Sequence, residues 1–287
     1  MDNQRSIRLR ELLGSGEILV APACHDALSA SLIEQTGFQA AFVSGAALTN
    51  CSLGISDIGV TSYGEYRAVL QNILNATSIP ILVDVDTGYG GILPIMRMVD
   101  EYEQMGISAI QIEDQVFPKR CAFFGVGVVT EQEMCQRMEA ASKARRDSNF
   151  LIIARTDAAK CLGFNEALRR VQAYYEAGAD MVFTSMPQTE EEMAALQALS
   201  IPKCVSVVEG TITENYTPQD FQKMGFSLVK YPQTLIRGII RTQVDLLKQL
   251  KMTGKTDGAK LCSQSERADW THLNRFTDFE DRILSEN

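Results

Sequence analysis

The chain has 287 residues, of which 45% are hydrophobic and 22% charged, so it can bury a full core and is neither disordered nor fibrous. Its formal net charge of −9 argues against a nucleic-acid partner, because phosphate binding requires clustered lysine and arginine. The sequence has no secretory signal and no apolar membrane span, and its seven cysteines have no CxxC spacing, so we expect a reduced, cytoplasmic protein.

Short runs of β-branched and apolar residues recur along the chain. Each run is nearly continuous in apolar character, which is typical of strands covered on both faces of a parallel sheet. The eight predicted strands are 18–21, 41–44, 81–84, 109–112, 151–154, 181–183, 204–208 and 228–230.

Amphipathic helical patterns lie between the predicted strands, and several of them end in a glycine that suits a helix C-cap. The clearer helical patterns cover 26–36, 92–105, 131–146, 165–176, 189–199 and 218–224. Eight strands that alternate with helices predict a (β/α)₈ TIM barrel. The alternative is an open doubly wound sheet, but no G-x-G-x-x-G follows the first strand as a dinucleotide-binding sheet would require.

The chain contains no linker, so we predict one domain with two parts. Residues 1–250 form the catalytic barrel, and residues 251–287 form a helical arm of the same domain. Apolar residues of the arm repeat at a helical period from Trp270 to Ile283. This last helix packs either on its own barrel or on a neighbouring subunit.

Acidic residues follow successive predicted strands. Asp84 and Asp86 follow the third strand, Glu113 ends the fourth, and Asp57 lies in the loop after the second. The active site of such a barrel lies at the carboxyl ends of the strands, so these carboxylates share one rim and repel one another unless a cation intervenes. All-oxygen ligands favour Mg²⁺, with Mn²⁺ as an alternative. A DxD pair alone is more often a solvated turn, but the following DTGYG and Glu113 favour a metal site.

Arg155 ends a buried predicted strand, where an arginine needs an anionic partner. One interpretation is a structural ion pair with Glu113 or Asp157. The other, which we favour, is a bidentate clamp on a substrate carboxylate. His25 follows the first strand at this rim, and its role stays open.

The segment 115–129 is long for a strand-to-helix connection and carries Gly125 and Gly127, which predicts a mobile lid. Within the lid, Lys119 and Arg120 precede Cys121. Neighbouring positive charge favours the thiolate, so Cys121 is a candidate catalytic acid or base and Lys119 a candidate catalytic partner.

Four motifs together resemble the isocitrate lyase/phosphoenolpyruvate mutase superfamily. They stand in order at the expected strand ends and read SGAALTN, VDVDTGYG, IQIEDQVFPKRC and IIARTDA. The branch that the chain resembles most is the 2-methylisocitrate lyase-like group, which includes dimethylmalate lyase and enzymes that act on oxaloacetate.

The resemblance implies a barrel whose last helix is swapped between subunits, in a homo-oligomer built as a dimer of swapped dimers. It implies that Asp84 holds Mg²⁺ directly, while Asp57, Asp86 and Glu113 act largely through water. It also implies substrate binding by Ser44, Gly45, Ala46 and Arg155, and proton donation by Cys121. The substrate would be a 2-oxo or 2-hydroxy acid.

The chain departs from the family pattern on one side of the predicted pocket. Ala122 and Phe123 replace a glycine and histidine that usually follow the lid cysteine, and Phe42 replaces a frequent tyrosine. Ser185 and Ser206 replace a glutamate and an asparagine, and we expect both serines to contact the substrate. These changes predict a substrate less polar than isocitrate or 2-methylisocitrate.

The sequence is therefore compatible with three functions. The first is a Mg²⁺-dependent carbon–carbon lyase that releases a 2-oxo acid such as pyruvate from a malate- or methylisocitrate-like acid. The second is another reaction of the same superfamily, namely oxaloacetate decarboxylation or hydrolysis, or cleavage of a phosphonopyruvate-type P–C bond. The third is a metal-binding interaction protein without catalytic activity. The intact acids and Arg155 argue against the third, because buried charges without a function are costly.

Overall fold

Eight parallel strands form a nearly closed barrel surrounded by helices, in a computed structural model that describes residues 3–122 and 127–285. Hydrogen bonds join the strands in the order β6-β5-β4-β3-β2-β1-β8-β7, and one parallel bridge between Val182 and Lys203 links the two ends. The predicted (β/α)₈ barrel is therefore confirmed. The strands are β1 (Leu19–Cys24), β2 (Ala41–Val43), β3 (Ile81–Asp84), β4 (Ala109–Glu113), β5 (Leu151–Thr156), β6 (Met181–Thr184), β7 (Cys204–Ser206) and β8 (Leu228–Tyr231).

The helices follow the strands in the alternation that the sequence predicts. They are α1 (Gln4–Gly14), α2 (Ala27–Gln35), α3 (Gly45–Leu53), α4 (Tyr63–Ala76), α5 (Ile92–Met105), α6 (Glu131–Ala144), α7 (Ala158–Leu162), α8 (Phe164–Glu176), α9 (Glu190–Gln197), α10 (Pro218–Lys223), α11 (Thr234–Thr253), α12 (Gln264–Trp270) and α13 (Leu273–Ser285). A short 3₁₀ helix covers Ile212–Asn215. The helical patterns of the sequence correspond to α2, α5, α6, α8, α9 and α10, whereas α1, α3, α4, α7 and most of α11 lie outside those patterns.

Among the described residues, three buried apolar clusters hold the barrel together, and the smallest of them packs Met193 of α9 and Phe221 of α10 beside Val205 and Val229. One fills the barrel interior with side chains from its strands, and Leu9 of α1 packs into the same cluster. Another lies between the strands and the helices outside them, with Leu70 of α4 and Ile95 of α5 among its fully buried members. Burial on both faces explains why the strands read as continuous apolar runs.

The interior changes from apolar to polar toward the carboxyl ends of the strands. Residues of neighbouring strands pair in register there, with Asp84 opposite Gln111 and Glu113 opposite Arg155. Because parallel strands end at one rim, this register gathers side chains that are far apart in the sequence. All four are buried or nearly so.

The chain divides into two compact units, Met1–Leu235 and Ile236–Asn287. The catalytic barrel over residues 1–250 with a helical arm over residues 251–287 stays a prediction. The second unit contains most of α11, with α12 and α13. No described residue of α12 or α13 is buried, and the apolar side chains of α13 are exposed. Across the described residues, no helix combines the length and the apolar character needed to cross a bilayer.

Candidate active site

A pocket opens at the carboxyl ends of the strands, and it brings together most of the predicted site residues. Predicted residues that line it are Ser44, Ala46, Asp57, Asp84, Cys121, Arg155, Ser185 and Ser206. Gly45, Asp86, Glu113 and Lys119 are buried directly behind this lining. His25 is also buried but does not line the pocket.

The segment Ser44–Ala46 forms the start of helix α3. Ser44 is the N-cap residue, and its side chain accepts a hydrogen bond from the backbone N–H of Ala47. The free N–H groups of a first helical turn favour an anion, so this helix end suits a substrate carboxylate. Gly45 has no room for a side chain, because a β-carbon there would lie 2.5 Å from the Tyr66 hydroxyl and 2.9 Å from Oδ1 of Asp86.

Arg155 is the central cation of the site. Its Nη1 atom lies 3.3 Å from Oδ2 of Asp84 and 3.0 Å from Oε2 of Glu113, and its Nη2 atom lies 3.0 Å from Oδ2 of Asp157. Burial alone would lower the pKa of Arg155, but these three carboxylates outweigh burial and raise the pKa well above its usual range. Arg155 therefore forms the structural ion pairs that the sequence suggested and also faces the pocket.

Lys119 is a second buried cation among the acids. Its Nζ atom lies 2.6 Å from Oδ1 of Asp57 and 2.7 Å from Oδ1 of Asp86. Burial would lower the pKa of Lys119, but Asp86, Glu113 and Asp57 raise the pKa well above its usual range. Lys119 thus links the lid segment to the acidic rim and neutralises part of its charge.

Two acids behind the rim, Asp86 and Glu113, are buried with few hydrogen-bond donors around them. Burial raises the pKa of Glu113 well above its usual range, more than Arg155 and Lys119 lower it. Both Glu113 oxygens are buried, and neither has a hydrogen-bond partner of suitable geometry in the described part of the chain. Burial likewise raises the pKa of Asp86 to about 6, although Lys119 lowers it. Asp86 and Glu113 thus have ion-pair contacts with Lys119 and Arg155 but remain costly to bury as carboxylates, and a bound hard cation would lower that cost.

The carboxylates do not yet form a metal cluster. Among residues 3–122 and 127–285, no three histidine, cysteine or acidic side chains converge closely enough to hold a metal ion. Lys119 and Arg155 lie between the acids and account for this spacing. The donor set of Asp57, Asp84, Asp86 and Glu113 fits Mg²⁺ chemically, and the predicted metal site stays a prediction.

The two ends of the lid segment pair with each other, and Cys121 within it contacts the loop that carries Asp57. Gln115 forms an antiparallel bridge with Val128, and the amide of Cys121 donates to the backbone oxygen of Asp57 at 3.1 Å. Cys121 therefore lies at the pocket wall, partly exposed. The replaced lid residue Phe123 and the predicted hinge Gly125 lie outside the described residues.

The remaining wall of the pocket is largely apolar. Ser185 donates a hydrogen bond to Oδ1 of Asp157, so its hydroxyl proton is engaged by the protein. Ser206 lines the same wall. Apolar lining residues around the two serines are Phe42, Ala122, Phe183, Met186, Pro187, Val205 and Val208.

Two buried polar residues, Gln111 and Lys230, carried sequence signals that the strand ends alone did not reveal, and a third, Asp157, was predicted only as a possible partner of Arg155. Asp157 binds Arg155, and hydrogen bonds from Ser185 and from Nε2 of Gln115 reach its carboxylate. Burial raises its pKa, but Arg155 and these donors lower the pKa below its usual range. Gln111 lines the pocket two residues before Glu113 on β4, and Lys230 is fully buried on β8. A polar side chain inside an otherwise apolar strand was the available signal.

A barrel that gathers buried acids, an arginine and a thiol at its carboxyl rim defines a class of enzyme site for small anionic substrates. A family model described as phosphoenolpyruvate phosphomutase matches residues 9–251. The chain is 37% identical to 2,3-dimethylmalate lyase of Eubacterium barkeri over 88% of each chain. It is 34% identical to a 2-methylisocitrate lyase of Shewanella oneidensis over 99% of this chain and 97% of the relative.

Solved structures agree with the sequence relatives. Oxaloacetate acetylhydrolase in complex with 3,3-difluorooxalacetate superposes with a TM-score of 0.92 at 28% identity, over 98% of each chain. Phosphonopyruvate hydrolase in complex with oxalate and Mg²⁺ superposes with a TM-score of 0.87 at 31% identity, over 99% of this chain and all of the other.

The chain belongs to the phosphoenolpyruvate mutase family of the isocitrate lyase/phosphoenolpyruvate mutase superfamily. This assignment confirms the resemblance that the four motifs carried. It also confirms the prediction of an enzyme of this superfamily, and the relatives named lyases support its carbon–carbon lyase class.

Proposed function

We propose that the chain is a Mg²⁺-dependent lyase that cleaves a carbon–carbon bond of a 2-hydroxy or 2-oxo acid. The substrate would be malate-like or methylisocitrate-like, and a retro-aldol cleavage through an enediolate would release a 2-oxo acid such as pyruvate. The observation that carries the proposal is that one pocket is lined by Asp84, Arg155 and Cys121. A site for anionic oxygens and a proton donor thus face the same space.

The chain's own groups would bind the oxygens of the acid. The first turn of α3, at Ser44–Ala46, would hold the carboxylate through backbone N–H groups. Arg155 would place its guanidinium against the oxygens where negative charge develops. Asp84, Asp86, Glu113 and Asp57 would hold Mg²⁺, and when bound this ion would stabilise that charge as a Lewis acid.

Cys121 would act on the carbon fragment. The proton of the 2-hydroxyl would pass to a carboxylate of the rim as that oxygen becomes the 2-oxo group and the C–C bond breaks. The electron pair left on the carbon next to the carboxylate would then take the proton of the Cys121 thiol. The bridge between Gln115 and Val128 and the Cys121–Asp57 backbone hydrogen bond would keep the thiol at the pocket wall. The lid segment would also exclude water from the reacting atoms.

The apolar wall of the pocket influences which substrate the protein would prefer. Phe42, Ala122 and Phe183 offer no hydrogen bond or charge to a further carboxylate, although Gln111, Thr211, Thr213 and Gln233 also line the pocket. The side of the pocket that carries these apolar residues would favour an alkyl substituent over a further carboxylate. We therefore expect poor turnover of isocitrate and 2-methylisocitrate.

The test of this function is a screen of 2-hydroxy and 2-oxo diacids with Mg²⁺, with detection of pyruvate, glyoxylate or oxalate. The proposal expects at least one malate-type acid to be cleaved, with activity lost on chelation of Mg²⁺. Asp84→Asn is the matched inactive control. Efficient turnover of 2-methylisocitrate would contradict the substrate inference, and no product from any acid would contradict the lyase.

A second candidate is hydrolysis or decarboxylation of oxaloacetate. The high structural similarity to oxaloacetate acetylhydrolase favours it. Release of oxalate and acetate, or of CO₂ and pyruvate, from oxaloacetate would identify this reaction.

We further propose a cytoplasmic homo-oligomer in which a second copy of the chain covers the arm. The exposed apolar residues Leu273, Phe276, Phe279 and Ile283 repeat along one helix, and large apolar side chains of this kind favour burial. No disulfide joins any of the seven cysteines, all of which lie in the described part of the chain, and this suits a reducing compartment. A mass measurement in solution would test the oligomer, with a monomer at micromolar concentration as the contradicting result.

A further inference from the structure

Lys230 is a fully buried cation in the barrel interior, directly behind the pocket. It lies on β8 with an exposed fraction of 0%, and its neighbours along the strand are apolar. Its Nζ atom lies 3.9 Å from the ring centre of Phe183 and 5.0 Å from that of Phe42. Both rings line the pocket. The ammonium is thus separated from the pocket by two aromatic side chains.

The polar contacts of Lys230 carry no negative charge. In the described part of the chain they are the amide oxygen of Gln111, which accepts a hydrogen bond from Nζ, and the thiol of Cys204. Burial raises the pKa of Cys204, so this thiol stays neutral, and burial lowers the pKa of Lys230 itself. A buried cation without a contacting carboxylate is costly, which makes a further anionic partner favourable.

Lys230 also fixes the orientation of the Gln111 amide. An ammonium group can only donate, so the end of the amide that meets it must be the oxygen Oε1. The Nε2 amino group is at the other end of the amide, so this is the end that can face the pocket. Gln111 lines this pocket beside Asp84 and Arg155. The pair therefore offers hydrogen-bond donors backed by a positive charge.

We propose that Gln111 binds an anionic oxygen of the acid substrate through Nε2, and that Lys230 is the positioning residue that orients this amide. The inference rests on the proposed function, because it assigns an oxygen subsite within the same pocket. The pair would select acids whose carboxylate or oxo group reaches the floor of the pocket. Phe42 and Phe183 would keep water from competing with the ammonium for the amide oxygen.

The test measures oxalate binding by calorimetry in millimolar Mg²⁺, which needs no turnover. Gln111→Glu keeps a partner for Lys230 but removes the donor, so oxalate affinity should fall more than about tenfold. Lys230→Met removes a buried charge and should leave the fold intact, while affinity falls about tenfold. Lys203→Met is the matched control, because Lys203 is also buried beside a phenylalanine ring but is not among the residues that line the pocket.

Different results would contradict the oxygen subsite at Gln111 and the proposed lyase function. A double variant, Gln111→Leu with Lys230→Met, should bind oxalate as weakly as Gln111→Glu and no more weakly, because Lys230 acts through Gln111. Wild-type affinity in Gln111→Glu would overturn this inference alone, since a purely structural partner of Lys230 is preserved there. Failure of the wild-type protein to bind oxalate would overturn the proposed function and this subsite together.

Discussion

Arg155 and Glu113 face each other across neighbouring strands. They are register partners of β5 and β4, and the Nη1 atom of Arg155 lies 3.0 Å from Oε2 of Glu113. The same guanidinium also contacts Asp84 and Asp157. One arginine therefore holds the acids of three successive strands in place, and it does so from the wall of the pocket.

Replacement of this arginine should cost both stability and activity. Arg155→Met leaves buried carboxylates unpaired, so we expect the free energy of unfolding to fall by about 3–5 kcal/mol in urea titrations. Arg155→Lys should retain part of the stability but lose the forked contacts, with kcat/KM still strongly reduced. Arg137→Met is the control, because Arg137 pairs with the largely exposed Glu133 on α6. An Arg155→Met protein as stable as the wild type would contradict the network.

Removal of the lid lysine should make stability depend on magnesium. In Lys119→Met, Asp57 and Asp86 lose the ammonium that lies between them, so the metal-free protein should lose about 3 kcal/mol or more. A bound cation would replace part of the lost charge, so the loss should be smaller in Mg²⁺ than in a chelator. Lys143→Met, which removes an exposed ion pair with Glu139, should cost less than about 1 kcal/mol in both conditions. Equal losses for Lys119→Met with and without Mg²⁺ would argue against cation binding at these acids.

His25 should make the fold sensitive to mild acid. Burial lowers its pKa, Asp26 raises it only partly, and its Nδ1 atom has no hydrogen-bond partner among the described residues. The unfolded chain therefore takes up a proton near pH 6.5 that folded His25 does not bind. Stability should fall as the pH drops below about 6.5, by at most about 1.4 kcal/mol per pH unit.

The two histidines of the chain make this pH dependence easy to assign. His25→Gln should flatten the decline in urea midpoint between about pH 7 and pH 5.5. His272→Gln should leave the decline unchanged, because His272 is exposed. An unchanged decline in His25→Gln would show that another group is responsible.

Replacement of Cys121 distinguishes a lyase reaction from decarboxylation. If its thiol protonates the product carbon, Cys121→Ser should lower kcat by about 100-fold or more. The affinity for oxalate should stay near the wild-type value, because the thiol is not part of the oxygen-binding side. Cys161→Ser removes an exposed thiol outside the pocket and should leave kcat unchanged. Undiminished turnover in Cys121→Ser would favour decarboxylation.

Parallel strands deliver their last residues to one rim, so the sequence could predict which side chains meet there. Asp84, Glu113 and Arg155 could be placed together from sequence alone for this reason. The contacts of Lys119 could not, because a lysine in a long connection has no fixed register with the strands. Its ammonium nevertheless lies within ion-pair distance of Asp57 and Asp86.

The helices that the sequence patterns did not predict differ in how clearly the sequence signals them. Helix α4 begins with a capping box in which Ser62 and Glu65 satisfy each other's backbone amides, and this S-x-x-E signal was present in the sequence. Helix α3 begins at Gly45 and carries small and polar residues, so its sequence is equally typical of a loop. The contact between Lys230 and Gln111 joins residues 119 positions apart, and only the closure of the barrel brings them together.

Diffraction from crystals grown with Mn²⁺ and oxalate tests the central claim most directly, because Mn²⁺ replaces Mg²⁺ and gives an anomalous signal. The account predicts one strong anomalous peak bonded to an oxygen of Asp84, with Asp86 and Glu113 turned toward it and oxalate within reach of Arg155. A map with no peak at the carboxyl rim would contradict the metal-dependent lyase, above all if Lys119 and Arg155 still occupied the space between the acids.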